Sequence, residues 1–134
     1  MVNRGEHSGV TLDTGALIAL ERKAKRMRDL LASALAAGRD VTVPAAVVAE
    51  WWRADPGQST VLNGLVFEPM TMRLAKAAGE ALAAVSGATA IDAVVMASAA
   101  LRGDVVYTSD VGDLDRLRAH FPNVRVLSAS GASV

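Results

Sequence analysis

Five carboxylates stand out by position rather than by number. Asp13 directly follows the apolar run Val10-Thr11-Leu12. Asp110 follows Val105-Val106-Tyr107 after the short turn Thr108-Ser109, and Asp113 comes three residues later. Asp92 opens the stretch that leads into that run, and Glu50 lies between Ala45-Ala46-Val47-Val48-Ala49 and the pair Trp51-Trp52. A carboxylate inside so apolar a stretch is hard to explain as surface decoration, because removing a charge from water without a partner is costly. Brought together, such groups repel: two unit charges about 5 Å apart cost roughly 3 kcal/mol at an effective dielectric of about 20. They must bind either protons or a cation. Oxygen-only ligation, with no cysteine and no suitably spaced histidine pair, selects a hard ion, Mg2+ or Mn2+, over Zn2+. The chemistry that suits such an ion is hydrolysis of a phosphodiester, with metal-bound water as nucleophile and the leaving oxygen neutralised by the cation.

Each acid also has a simpler role open to it. Asp13, at a strand-to-helix junction, is a good N-cap. Asp92 stands three residues after Thr89 in the pattern of a capping box, and Asp110 and Asp113 repeat that spacing. Whether the acids also meet depends on the elements that carry them.

Those elements alternate. Short apolar runs at 10–12, 41–43, 65–67, 105–107 and 124–127 read as strands. Between the first two, Leu17, Leu20, Ala24, Met27, Leu31 and Leu35 recur at spacings of three and four, a helical stripe with a break near Glu21 and a stop at Gly38. Pro44 suits the first turn of a helix reaching about Arg53, and 54–63 reads as loop or a short helical turn. Further helices are expected over 71–85, 90–102 and 113–120. Strands separated by helices specify an α/β fold, a three-layer αβα sandwich around a five-stranded parallel sheet. In such sheets sites form outside the carboxyl ends of the strands. Asp13 and Asp110 therefore point into one crevice, which Glu50 and Asp92 reach from flanking helices. One domain over 10–128 is expected, with a leader at 1–9 and a tail at 129–134.

Composition narrows the function classes. The chain has 134 residues, half of them apolar, and much of that half is alanine; 14 basic and 14 acidic residues balance. No global field therefore draws the protein to nucleic acid, and any such attraction is local. Between Glu21 and Asp29 five basic residues face two acids, so Arg22, Lys25 and Arg26 read either as an RNA or partner surface or as a solvated helix face. The most apolar candidate span, Ala81 to Leu101, is interrupted by Ser86, Gly87, Thr89 and Asp92, and no signal segment opens the sequence. A cytoplasmic protein without a membrane segment is expected, and the lack of cysteine fits a reducing compartment.

Four segments together resemble the PIN-domain family, and within it the VapC-type toxins. They are Leu12-Asp13-Thr14-Gly15-Ala16-Leu17, Val43-Pro44-Ala45-Ala46-Val47-Val48-Ala49-Glu50, Ala90-Ile91-Asp92-Ala93-Val94-Val95, and Val106-Tyr107-Thr108-Ser109-Asp110-Val111-Gly112-Asp113-Leu114. They stand in the family's order and spacing. The resemblance implies a Mg2+- or Mn2+-dependent endoribonuclease, a homodimer, and inhibition by a small antitoxin that covers the acidic pocket. It implies Asp13, Asp92 and Asp110 as metal ligands, Glu50 completing the acidic set, Asp113 as a supplementary acid, and Thr14 and Thr108 as supporting hydroxyls. Glu6, Glu68 and Asp115 match no acid of the pattern and are assigned to the surface. Of the two tryptophans, one is expected in the core and the other at an interface, with base stacking a lesser alternative.

Rival phosphotransfer readings fail on single residues. A haloacid-dehalogenase-like phosphatase needs an aspartate where Gly15 stands. A receiver domain needs an aspartate ending the third strand and a lysine ending the fifth, and no lysine follows Lys76. No glycine-rich turn follows the first strand, which removes dinucleotide binding. Two alternatives within the family remain open: a PIN-domain nuclease serving RNA processing, and a module that binds RNA or protein without cutting.

Overall fold

The structure, a computed structural model, describes residues 9–128; the expected tail, and the leader apart from Gly9, lie outside them. Five strands form one sheet: β1 (Val10–Leu12), β2 (Val41–Pro44), β3 (Val66–Glu68), β4 (Val105–Thr108) and β5 (Val126–Ser128). Their order is β3-β2-β1-β4-β5, and every pairing is parallel, with Val10 beside both Val41 and Val105. Helices α1 (Thr14–Glu21) and α2 (Lys25–Ala36) lead to β2, and α3 (Ala45–Trp51) and α4 (Pro56–Val61) to β3. Helices α5 (Met72–Ala84) and α6 (Ala90–Arg102) carry the chain back to β4, and α7 (Val111–Asp115) with a 3-10 turn at Arg116–Ala119 leads to β5. The chain steps outward in one direction up to β3 and in the other after it. Right-handed crossovers therefore put α1–α4 on one face and α5–α7 on the other, in accord with the packing of α1 on α2, α3 and α4, and of α6 on α5 and α7.

Residue pattern and burial agree. Every residue of β1, β2 and β4 is buried, whereas the edge strands β3 and β5 are exposed or half-exposed, as expected of a parallel sheet covered on both faces. Residues 93 to 99 of α6 are all buried. The N-caps follow side-chain chemistry: Asp13, Asp55, Thr71, Thr89 and Asp110 each accept a backbone N–H of the helix that follows. Gly103 closes α6 in the left-handed conformation, which costs glycine no Cβ clash. The break expected near Glu21 falls at Arg22–Ala24, where Lys23 takes a positive φ. Pro44 departs from expectation: it is the last residue of β2 and precedes α3, which stops at Trp51. Fully buried Gln58 explains the early stop, because it donates to the Trp51 carbonyl and accepts from the Arg53 N–H.

Glu68 is not a free surface acid. It accepts from Ser98 and pairs with Arg102, whose guanidinium also donates to Asp104 Oδ2 at 2.9 Å and to Thr11 Oγ1 at 2.7 Å. This cluster fastens the far end of α6 to β1 and β3. Asp104 is buried, and a buried charge deprived of its partner is strongly destabilising. Arg102→Met is expected to lower unfolding free energy by about 3 kcal/mol in urea titration; a loss below about 1 kcal/mol would show the cluster to be dispensable.

Candidate active site

β1 and β4 are neighbours, yet the chain leaves β1 toward one edge of the sheet and β4 toward the other. The loops at their carboxyl ends diverge and leave a crevice, the position at which open parallel sheets bind ligands. Asp13 ends β1 at this crevice and Asp110 follows β4. α6 begins on the same side, because it must run back along the sheet to deliver the chain to β4, and this brings Asp92 into its first turn. α3 contacts both α1 and α6 and carries Glu50.

Asp13 is the fixed point. It is buried, and both its oxygens are engaged: Oδ1 accepts from the Ala16 N–H at 2.8 Å and Oδ2 from the Thr108 hydroxyl. Thr108 Oγ1 in turn accepts the Asp110 N–H at 2.9 Å, so one buried hydroxyl links the two strand-ending acids. Thr14 donates to Glu50. Asp110 Oδ1 accepts the Asp113 N–H at 3.3 Å, and Thr89 Oγ1 accepts the Asp92 N–H at 3.2 Å. Asp13 and Asp110 therefore fill the N-cap roles open to them, whereas Asp92 and Asp113 supply only backbone N–H groups to Thr89 and Asp110.

Burial and neighbouring charge raise two of these acids. The Asp13 carboxyl is raised to about 6: burial is the largest cause, the hydrogen bonds from Thr108 and Ala16 act against it, and the charges of Asp92 and Asp110 add to it. Asp92 is also raised, first by burial and then by the charges of Asp113, Glu50 and Asp110, with Thr89 acting in the opposite sense. Asp92 and Asp110 thus act on Asp13, and Asp113, Glu50 and Asp110 act on Asp92. Among the described residues, Glu21, Asp29, Glu68, Asp104 and Asp115 are ion-paired with lysine or arginine; none of the five crevice acids is.

The donor set fits a hard divalent cation: oxygen-only, strongly negative, and lacking a basic counter-charge. Asp13, Asp92 and Asp110 do not form a finished cage. Among the described residues no three Asp, Glu or His side chains stand close enough to share an ion. Asp13 is buried with both oxygens engaged, whereas Glu50, Asp110 and Asp113 are exposed.

The remaining sequence candidates are dispersed. Arg22 is exposed beyond α1, Lys25 pairs with Asp29 at 2.6 Å, and Arg26 donates to the Ser128 carbonyl at 3.2 Å. Lys23 and Arg28 instead line an open groove of about 770 Å3 floored by Leu20, Leu31 and Val61. Trp51 is in the core, with its Nε1 donating to Glu21 at 3.1 Å, and Trp52 is exposed. Asp115 lies at the surface, paired with Arg118, and Glu6 lies outside the described residues. Sequence reasoning passed over Arg116, which donates to the Gly87 carbonyl at 3.2 Å and braces the turn before Thr89 and Asp92. An arginine in a short polar helix carries no pattern that would reveal this.

No protein-family model matches the sequence, and no curated protein matches it. Solved structures do. A chain of the DNA-bound VapBC complex from Salmonella typhimurium superposes with a TM-score of 0.71 at 16% identity, covering 91% of this chain and 98% of that one. The VapBC2 complex from Rickettsia felis bound to promoter DNA gives 0.71 at 13% identity, covering 89% and 97%. The fold is that of VapC-type PIN domains. VapC20 of Mycobacterium tuberculosis, a toxin that cleaves the sarcin-ricin loop, gives 0.66 at 22% identity over 87% of this chain and 99% of its own. In these three structures the likeness in fold covers 87–91% of this chain.

The raised Asp13 carboxyl has a stability consequence with a definite sign. Its folded-state value of about 6 lies above the unfolded reference, so the native state binds the proton more tightly. The stabilising contribution is complete below about pH 4 and is lost as pH rises through about 6, a change on the order of 3 kcal/mol. Asp13→Asn keeps a capping oxygen and removes the charge. In EDTA-treated buffer at pH 7.5 it is expected to be more stable than wild type by up to that amount, with the difference vanishing near pH 4. Parallel urea titrations at the two pH values check this, and a pH-independent difference would contradict it.

Proposed function

We propose that the protein is a divalent-metal-dependent endoribonuclease of the VapC type, a toxin whose activity a cognate antitoxin restrains. One observation supports the reading: five acids without ion-pair partners stand on the elements around the switch point of the sheet, and burial first, then neighbouring acid charges, raise Asp13 and Asp92. Two further facts support it, the fold shared with VapC20, a toxin that cleaves RNA, and with chains of VapBC complexes. Asp13, Asp92 and Asp110 would hold Mg2+ or Mn2+, with Glu50 and Asp113 completing the negative field. A divalent ion bound there would supply Lewis acidity and an activated water for attack on a phosphodiester.

The chain's own residues have definable tasks. Thr108 fixes the Asp13 carboxylate and the Asp110 backbone relative to each other. Thr14 donates to Glu50, whose exposed carboxylate would add to the negative field of the crevice. Arg22, Lys25 and Arg26 lie on or beside α2 and would contribute a phosphate-attracting or partner-binding face. A homodimer with RNA as substrate completes the proposal, and no helix among the described residues is long and apolar enough to cross a membrane.

The test is incubation of the purified chain with structured RNAs, with Mg2+, with Mn2+ and with EDTA, followed by end mapping. Metal-dependent internal cleavage is expected, and Asp13→Asn and Asp92→Asn are each expected to reduce it by at least about 100-fold while remaining folded. A folded Asp13→Asn protein with full activity would refute the assignment, and a wild type that binds RNA without cutting would indicate a binding module. Replacing Arg22, Lys25 and Arg26 together by Gln is expected to weaken RNA binding and flatten its salt dependence; an unchanged salt slope would return these residues to solvent.

A further inference from the structure

The separation between the acids that end β1 and β4 depends on a contact that neither acid makes. Gly15 is the second residue of α1, two positions after Asp13, and Ser109 immediately precedes Asp110. A Cβ built on Gly15 would stand 2.1 Å from Ser109 Oγ, 3.2 Å from Ser109 Cβ and 3.2 Å from the Ser109 backbone nitrogen. The hydroxyl could swing aside. The Cβ and backbone nitrogen could not retreat without moving the segment that carries Asp110, and that segment is tied through Thr108 to Asp13.

Backbone conformation does not explain the glycine. Gly15 is not among the positive-φ glycines, which are Gly38, Gly64, Gly87 and Gly103, and within a helix alanine is the more favourable residue. Space explains it, because two loops at the carboxyl ends of adjacent strands abut there without a side chain between them. We propose that Gly15 is a spacing residue. Its missing side chain lets Ser109 rest against the first turn of α1, and so sets the spacing of the segments that carry Asp13 and Asp110, which would hold the cation. The inference rests on the metal-dependent reading above.

Mn2+ titration calorimetry on the full chain tests it. Gly15→Ala is expected to weaken Mn2+ binding by about tenfold or more, the scale at which supporting groups tune metal affinity. Ser109→Gly in the same chain removes Oγ and Cβ, leaves only the backbone nitrogen at 3.2 Å, and is expected to restore part of the affinity. Unfolding without metal gives a second readout: Gly15→Ala should destabilise the chain with Ser109 present and stabilise it together with Ser109→Gly, a coupling that distant sites do not show. If Gly15→Ala does not fold, Ser109→Val presses on the contact from the other side and should weaken binding likewise. Wild-type affinity in a folded Gly15→Ala protein overturns the proposal with the metal reading intact, as does failure of Ser109→Gly to rescue. A wild type that takes up no Mn2+ overturns the metal reading itself, and the spacing role with it.

Discussion

The molecule is organised around an anion that its own surroundings disfavour. Asp13 is buried at the end of the central strand, has no basic partner, and lies within the field of Asp92 and Asp110. Two hydrogen bonds hold it there, from Ala16 and from Thr108, and they offset only part of the cost of burial. A side chain so placed must either take up a proton or share its charge with a cation. Everything nearby follows from that constraint: the capped start of α1, the buried threonine at the end of β4, and the direction of α6, which brings another acid toward the same space.

The sheet topology makes this arrangement possible at little structural cost. Because the chain turns outward on opposite sides after β1 and β4, the crevice is left by connectivity and needs no loop excursion. Helix starts gather there as well, and their unpaired N–H groups and dipoles partly offset the negative charge. Asp13 and Asp110 are at once caps and members of the acidic set, so a residue type chosen for helix initiation also serves the crevice. Neutral substitutions that retain a capping oxygen are therefore expected to separate folding from chemistry.

Much of this was legible in the amino-acid order. Strands such as Val10–Leu12 and Val105–Thr108 are short apolar runs that burial on both faces requires, and Gly103 and Thr89 mark the ends of α6 within a residue. The parallel order of the strands places Asp13 and Asp110 at the carboxyl ends of neighbouring strands, and the helix that must return the chain to β4 carries Asp92 in its first turn. Other features depended on long side chains meeting across the fold, which periodicity does not encode. Glu68 looked like a surface acid because Ser98 and Arg102, its partners, lie 30 or more residues away. Pro44 was misplaced by one element because a proline serves equally well at a strand end and at a helix start. The early stop of α3 depends on Gln58, a polar residue in a segment that reads as loop.

The cluster of Arg102 with Glu68, Asp104 and Thr11 has an effect at a distance from itself. It clamps α6 at the end remote from the crevice, and the buried run of residues 93 to 99 keeps the helix stiff along its length. The acidic end is secured more lightly, by a threonine cap and one exposed arginine contact, so the ion-pair cluster at the opposite end carries most of the polar anchoring of α6.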